Sequence, residues 1–130
     1  MNDSLDNHNP TNQKHFVLFK RECNKWIRRF GLLDWRVYYR HEDSVGKARC
    51  TIQHLEDRVC IITLSKFWEG IEPTNDEICR TAFHEVCELL LARLYTLSRR
   101  RFVGEGEIEE EHHAIIRRLE EAVFMMDKSE

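Results

Sequence analysis

Arg58-Val59-Cys60-Ile61-Ile62-Thr63-Leu64 is the most apolar strand candidate in this chain, and its β-branched residues favour a pleated sheet. Just before it, residues 47–55 alternate small or apolar residues with polar ones, which is typical of a half-exposed strand. The turn between the two is short, and parallel strands need a long crossover, so the pair is predicted to be an antiparallel hairpin. Residues 35–40 are aromatic and β-branched and predict a further strand. We therefore expect a three-stranded antiparallel sheet.

Three helices are predicted around these strands. Residues 12–30 carry apolar side chains at spacings of three and four, and Gly31 provides a stop signal. A second helix begins at a cap on Thr74 or Asn75 and runs to about Leu97, and a third spans about residues 107–126. The order helix, three strands, helix, helix predicts an α+β fold.

The chain has 130 residues, of which 42% are hydrophobic and 33% charged, which fits a single domain over residues 12–130. Residues 1–11 are rich in Asn and Asp, include Pro10, and predict a disordered tail. The longest apolar run, Leu89 to Ala92, is too short to cross a membrane, so no membrane partner is expected. The first residues are polar and show no secretory signal. Five cysteines without a C-x-x-C pair indicate a reducing cytoplasm.

The residues that indicate chemistry are His84-Glu85-Val86-Cys87-Glu88. Because His84 and Glu88 are four residues apart, a helix places them on one face, where an imidazole and a carboxylate could hold a zinc ion together. Glu85 lies one step round the helix and could take a proton from a zinc-activated water. Glu88 stands in an otherwise apolar segment, so we expect it to be buried and to need a partner. The alternative partner is an arginine, either Arg93 or one from the last helix.

A third zinc ligand is available on the last helix. His112 and His113 follow an acidic run, and a helical wheel places His112 inside the apolar stripe and His113 at its edge. The alternative is that they are ordinary residues of a helix start. A further alternative is that Glu88 and one of these histidines form a buried hydrogen-bonded pair without any metal.

From about Trp35 to Leu119 the chain resembles the zincin-type metallopeptidase domains of phages and prophages, which are related to SprT-like and minimal gluzincin domains. A Trp-x-Val strand and a hairpin ending in Ile-x-Leu-Ser precede a helix of the form Thr-Ala-x-His-Glu-x-x-His-x-Leu-Leu. In this chain that helix reads Thr81-Ala82-Phe83-His84-Glu85-Val86-Cys87-Glu88-Leu89-Leu90.

The chain departs from the family pattern at two positions. Glu88 stands where the family has its second histidine, and His113 stands where the family has its distal glutamate. The resemblance thus implies a zincin-like fold with His84, Glu88 and His113 as zinc ligands and Glu85 as general base, whereas the helical wheel prefers His112 to His113. It also implies a phage-type protein that acts in the host cytoplasm.

Three functions remain open at this point. The first is a zinc-dependent hydrolase, specifically a metallopeptidase with a protein or peptide substrate. The second is a non-catalytic zincin-like module that binds a protein or nucleic acid, and the third is a structural interaction domain. Nucleic acid is weakly indicated, because the net charge is −3 and the compact basic cluster is confined to residues 99–101. Nothing in the sequence indicates an oligomeric state.

Overall fold

The computed structural model describes residues 8–100 and 102–125 of the chain. Within them the fold is α+β, as predicted. In chain order the elements are β1 (His8–Pro10), α1 (Gln13–Arg29), β2 (Arg36–Glu42), β3 (Ala48–His54), β4 (Val59–Ser65), β5 (Phe67–Glu69), α2 (Asn75–Arg99) and α3 (Glu105–Leu119), which continues into a π-helical turn (Glu120–Phe124). The predicted end of the last helix at Met126 lies outside the described residues.

The three-stranded sheet has the order β2-β4-β3 and mixed direction. β3 and β4 form the predicted antiparallel hairpin, with Cys50 opposite Ile62. β2 instead pairs parallel to β4, with Tyr39 opposite Ile62, so the expectation of a purely antiparallel sheet is wrong. A short turn, which indicates antiparallel pairing, joins β3 to β4. For β2, β3 serves as part of the crossover, and the uninterrupted apolar run of β4 takes the central, most buried position.

The main core lies between one face of this sheet and the helices α1 and α2. Phe19 and Cys23 of α1, Ile62 of β4, and Ile78 and Val86 of α2 are all fully buried. The third helix covers a smaller area, because Ile115 is the buried residue of α3. The core thus holds α2, the helix with the His-Glu motif, firmly against the sheet.

Residues 8–11 belong to the fold, contrary to the tail expected there. β1 pairs antiparallel with β5, with Asn9 opposite Trp68. Thr11 is buried; its hydroxyl donates to the Ser65 carbonyl at 2.7 Å and also lies 2.7 Å from His41 Nε2. These long-range contacts order a polar segment whose own composition gives no sign of them. Residues 1–7 of the predicted tail lie outside the described residues.

The helix ends follow local capping rules. The Thr74 side chain accepts a hydrogen bond from the Glu77 amide and is the N-cap of α2, which was one of the two predicted caps. After α1, Gly31 adopts a φ of +68°, as the stop signal requires. No helix in the described ranges is long and apolar enough to cross a membrane.

Candidate functional site

The side chains of α2 divide into an exposed face and a buried face around the His-Glu motif. His84, Glu88, Leu91 and Tyr95 recur at spacings of three and four and are all exposed. Glu85 is one step round the helix from His84 and is buried, with 6% of its surface exposed. The motif thus presents two side chains to solvent and turns the third inward.

His84 and Glu88 form the predicted pair on one helix face. The distance from His84 Nε2 to Glu88 Oε1 is 3.5 Å. The expectation that Glu88 is buried is wrong, because 61% of its side chain is exposed. Among the described residues no arginine forms an ion pair with Glu88, and Arg93 pairs instead with Glu111 at 3.3 Å. Glu88 points away from the core, so its charge remains solvated and needs no burial partner.

Glu85 is a carboxylic acid in a buried position. Burial raises the pKa of its carboxyl group from an ordinary value near 4.5 to about 7. The charge of Glu88 raises this pKa further, whereas His84 and a hydrogen bond from the Cys50 backbone amide lower it. Both protonation states of Glu85 are therefore populated near neutral pH, which is the property required of a group that accepts and returns a proton.

A groove runs between the exposed face of α2 and β3, which is an edge strand of the sheet. Its volume is about 430 Å³, and the lining includes Cys50 and Ile52 from β3 and Glu88, Leu91 and Tyr95 from α2. A smaller cavity of about 280 Å³ adjoins the N-terminal side of the motif and is lined by Lys47, Arg80 and Glu85, among others. His84 lines both spaces, so the motif lies at the junction between them.

His112 and His113 do not join this site. Both are exposed on α3, and their rings contact each other edge to face at a centroid distance of 5.6 Å. His113 Nδ1 lies 3.0 Å from the Glu109 carbonyl oxygen of its own helix. The prediction that His112 lies in the apolar stripe of α3 is wrong, because the His112 side chain is exposed, whereas Ile115 is the buried residue of this helix.

The donor set fits zinc in kind but not in number. His84 and Glu88 supply an imidazole and a carboxylate, which are both common zinc ligands, whereas catalytic zinc normally has three protein ligands. Among the residues that the structure describes, no three His, Cys, Asp or Glu side chains form a group that could hold a metal ion. The structure therefore brings together two of the predicted ligands and the predicted base.

The basic residues at the end of α2 are engaged locally. Arg100 forms an ion pair with Glu56 at 2.9 Å, and the Arg99 guanidinium donates to the Tyr95 hydroxyl at 2.6 Å. These contacts hold the end of α2 and the far end of the groove. The remaining arginine of the predicted cluster, at position 101, lies outside the described residues.

Several groove residues were not singled out from the sequence. Leu91 and Tyr95 follow Glu88 by three and seven residues, so helical spacing was a sufficient signal for them. Cys50 and Ile52 had no such signal, because their place beside α2 depends on β3 being at the sheet edge. Strand order is a property of long-range pairing, which residue patterns within a strand do not encode.

Comparisons with known proteins add no family to this picture: the chain matches no family model, no curated protein and no solved structure. The resemblance to zincin-type metallopeptidases rests on the motif residues themselves.

Proposed function

We propose that this chain is a small zinc-dependent hydrolase, of the zincin-like metallopeptidase type, that acts in the groove between α2 and β3. The observation that carries the proposal is the meeting of His84, Glu85 and Glu88 where two cavities join. Two of these side chains are exposed donors 3.5 Å apart, and the third is a buried carboxyl group beside them.

Each residue has a distinct role in this proposal. His84 and Glu88 would hold the ion from one helix face, and water would occupy its remaining positions. Zinc bound there supplies Lewis acidity, which polarises a carbonyl group and lowers the pKa of a water molecule. Glu85 would take a proton and deliver it to the leaving amine, since its pKa of about 7 suits both transfers.

The groove suits a peptide substrate. Ile52, Leu91 and Tyr95 provide apolar and aromatic contact surface for a side chain. β3 is an edge strand, so it can pair with an extended segment of another chain through backbone hydrogen bonds. All five cysteines are free, which supports the proposed location in a reducing cytoplasm, that of a phage host under the proposed origin.

Zinc titration combined with a peptide-cleavage assay tests the proposal. We expect calorimetry to find about one zinc per chain, abolished by His84→Ala and by Glu88→Ala. The matched control His113→Ala should bind zinc like the wild type, because His113 lines neither of the two cavities that meet at His84. Glu85→Gln should retain zinc and lose cleavage of a quenched fluorescent peptide library. Absence of zinc binding by the wild-type protein would overturn the proposal.

A second function is favoured by one observation, the absence of a third converging ligand among the described residues. In this alternative the chain is a non-catalytic zincin-like module, and the groove binds a peptide segment without cleaving it. Peptide binding that Glu85→Gln leaves unchanged, with no cleavage by either protein, would favour the module over the hydrolase.

A further inference from the structure

An arginine-lined cavity lies where the end of α1 meets α3, and it shares no lining residue with the groove at His84. Its volume is about 440 Å³. Arg28 and Arg29 line it from α1, and Arg117 and Arg118 from α3. Glu121 is the one carboxylate among its described lining residues, so four positive charges face one negative charge.

Backbone contacts organise this arginine cavity before any ligand arrives. The Arg118 guanidinium donates to the Phe30 carbonyl at 3.0 Å and to the Gly31 carbonyl. Gly31 has a φ of +68°, and a Cβ atom at this position would lie 3.2 Å from Arg118 Nη1. Arg118 is thus fixed to the end of α1, which holds the arginines of the two helices around one space.

The other three arginines have no carboxylate partner among the described residues. Arg28, Arg29 and Arg117 are exposed, and within the described part of the chain no carboxylate oxygen lies within 4.0 Å of their guanidinium groups. The guanidinium carbon of Arg29 lies 5.0 Å from the centre of the Trp26 ring, a cation–π distance that orients it. Guanidinium groups in this state bind phosphate through paired hydrogen bonds.

A stripe of positive charge on α1 leads into the arginine cavity. Lys14, Arg21, Lys25 and Arg28 follow one another at spacings of seven, four and three, so they share one face of the helix. Of these four, Lys25 is paired with Glu22 at 2.8 Å. The stripe is about 21 Å long at 1.5 Å per residue. Over its whole length α1 carries six Lys or Arg and one Glu, whereas the chain has a net charge of −3. The positive charge is therefore concentrated on this helix.

We propose that the arginine cavity and the basic stripe of α1 together bind the sugar–phosphate backbone of a nucleic acid. An extended polyanion matches a stripe about 21 Å long that ends in a cluster of guanidinium groups. A membrane surface fits less well, because the apolar face of α1, with Phe19, Cys23 and Ile27, is buried in the core and cannot enter a bilayer. This binding site is independent of the proposed hydrolase site.

Fluorescence anisotropy with a labelled single-stranded oligonucleotide and its duplex tests the proposal. We expect binding of the wild-type chain to weaken steeply between about 50 and 200 mM salt, with a logarithmic slope of about −4 on duplex DNA. The double variant Arg28→Gln/Arg117→Gln should bind at least tenfold more weakly at about 0.1 M salt, and its slope should be smaller by about 2. Glu121→Gln should bind more tightly than the wild type, which a folding defect would not produce.

Two controls locate the effect. Arg49→Gln removes an exposed charge from β3, on the sheet face turned away from the helices, and should leave the affinity within about twofold of wild type. His84→Ala should also leave it unchanged, which separates this site from the groove. Equal losses in Arg49→Gln and the double variant would overturn the proposal. So would the absence of salt-dependent binding, or displacement of the oligonucleotide by poly-glutamate at equal charge.

Discussion

α2 makes two helix contacts that differ greatly in how much they bury. Against α1 and the sheet it packs Ile78, Val86 and Leu89, each at most 1% exposed. Against α3 it contacts one buried residue of that helix, Ile115, and a partly exposed ion pair joins Arg93 of α2 to Glu111 of α3. The motif helix is thus anchored on one side and lightly covered on the other.

This difference has a source in the sequence of α3. Its first seven residues include five glutamates, at positions 105, 107, 109, 110 and 111. Its N-cap residue, Gly104, has no side chain that could cap the helix. Ile116 and Leu119 of the same helix remain 40% exposed. A helix of this kind adds little burial to the fold, and it carries both His112 and His113. The predicted zinc ligands are therefore divided between a firmly held helix, α2, and a lightly held one, α3.

The largest effect on stability is expected where α2 packs against α1 and the sheet. Ile62→Ala should lower the free energy of unfolding by about 3 kcal/mol, because it leaves a cavity beneath α1 and α2. Urea unfolding followed by tryptophan fluorescence measures this change. The matched variant Ile116→Ala, on the exposed side of α3, should change it by about 0.5 kcal/mol or less. Similar losses in the two variants would abolish the distinction between the contacts.

A second prediction concerns Glu85, the buried carboxyl group of α2. The pKa of Glu85 is raised in the folded state, so the folded protein binds this proton more tightly than the unfolded chain does. The contribution of this proton to the free energy of unfolding is complete below about pH 4.5 and is lost as the pH rises through about 7. Glu85→Gln keeps the size and the hydrogen-bond acceptor without the charge.

We therefore expect Glu85→Gln to be more stable than the wild type at pH 8 by about 3 kcal/mol, and similar to it near pH 5. Urea unfolding at both pH values, with EDTA present to remove metal ions, measures the difference. A stability gap between the two proteins that does not change with pH would show that Glu85 titrates normally.

The smallest effect on global unfolding is expected at the contact between α2 and α3. Ile115→Ala should lower the opening free energy of α3 by about 2 kcal/mol, and the unfolding midpoint of the core should move much less. Hydrogen exchange measured by mass spectrometry should show faster exchange over residues 105–119 and unchanged exchange in β4. Leu119→Ala serves as the control, since Leu119 is partly exposed on the same helix. Faster exchange throughout the chain would mean that α3 unfolds together with the core.

Features that depend on neighbouring residues could be predicted from the sequence, whereas features that depend on distant residues could not. The positions of β2, β3 and β4, the Gly31 stop and the Thr74 cap were accessible because each depends on neighbouring residues. The parallel pairing of β2 and the incorporation of residues 8–11 were not, because their partners lie more than twenty residues away. The pairing of His84 and Glu88 was predicted from a four-residue spacing, whereas the position of His113 depends on how α3 docks.

The order in which the strands pair also affects how this chain emerges during synthesis. Among the described strands β2 pairs with β4 and β1 with β5, so neither β1 nor β2 has a sheet partner until residues 59–69 have been made. At translation rates of about 5–20 residues per second, the ribosome adds the segment from Asp43 to Glu69 in roughly one to five seconds. During that interval the aromatic strand Arg36–Glu42 is an unpaired edge on a nascent chain. Chaperones and proteases that act on nascent chains therefore have their best access to β2 before β4 has left the ribosome.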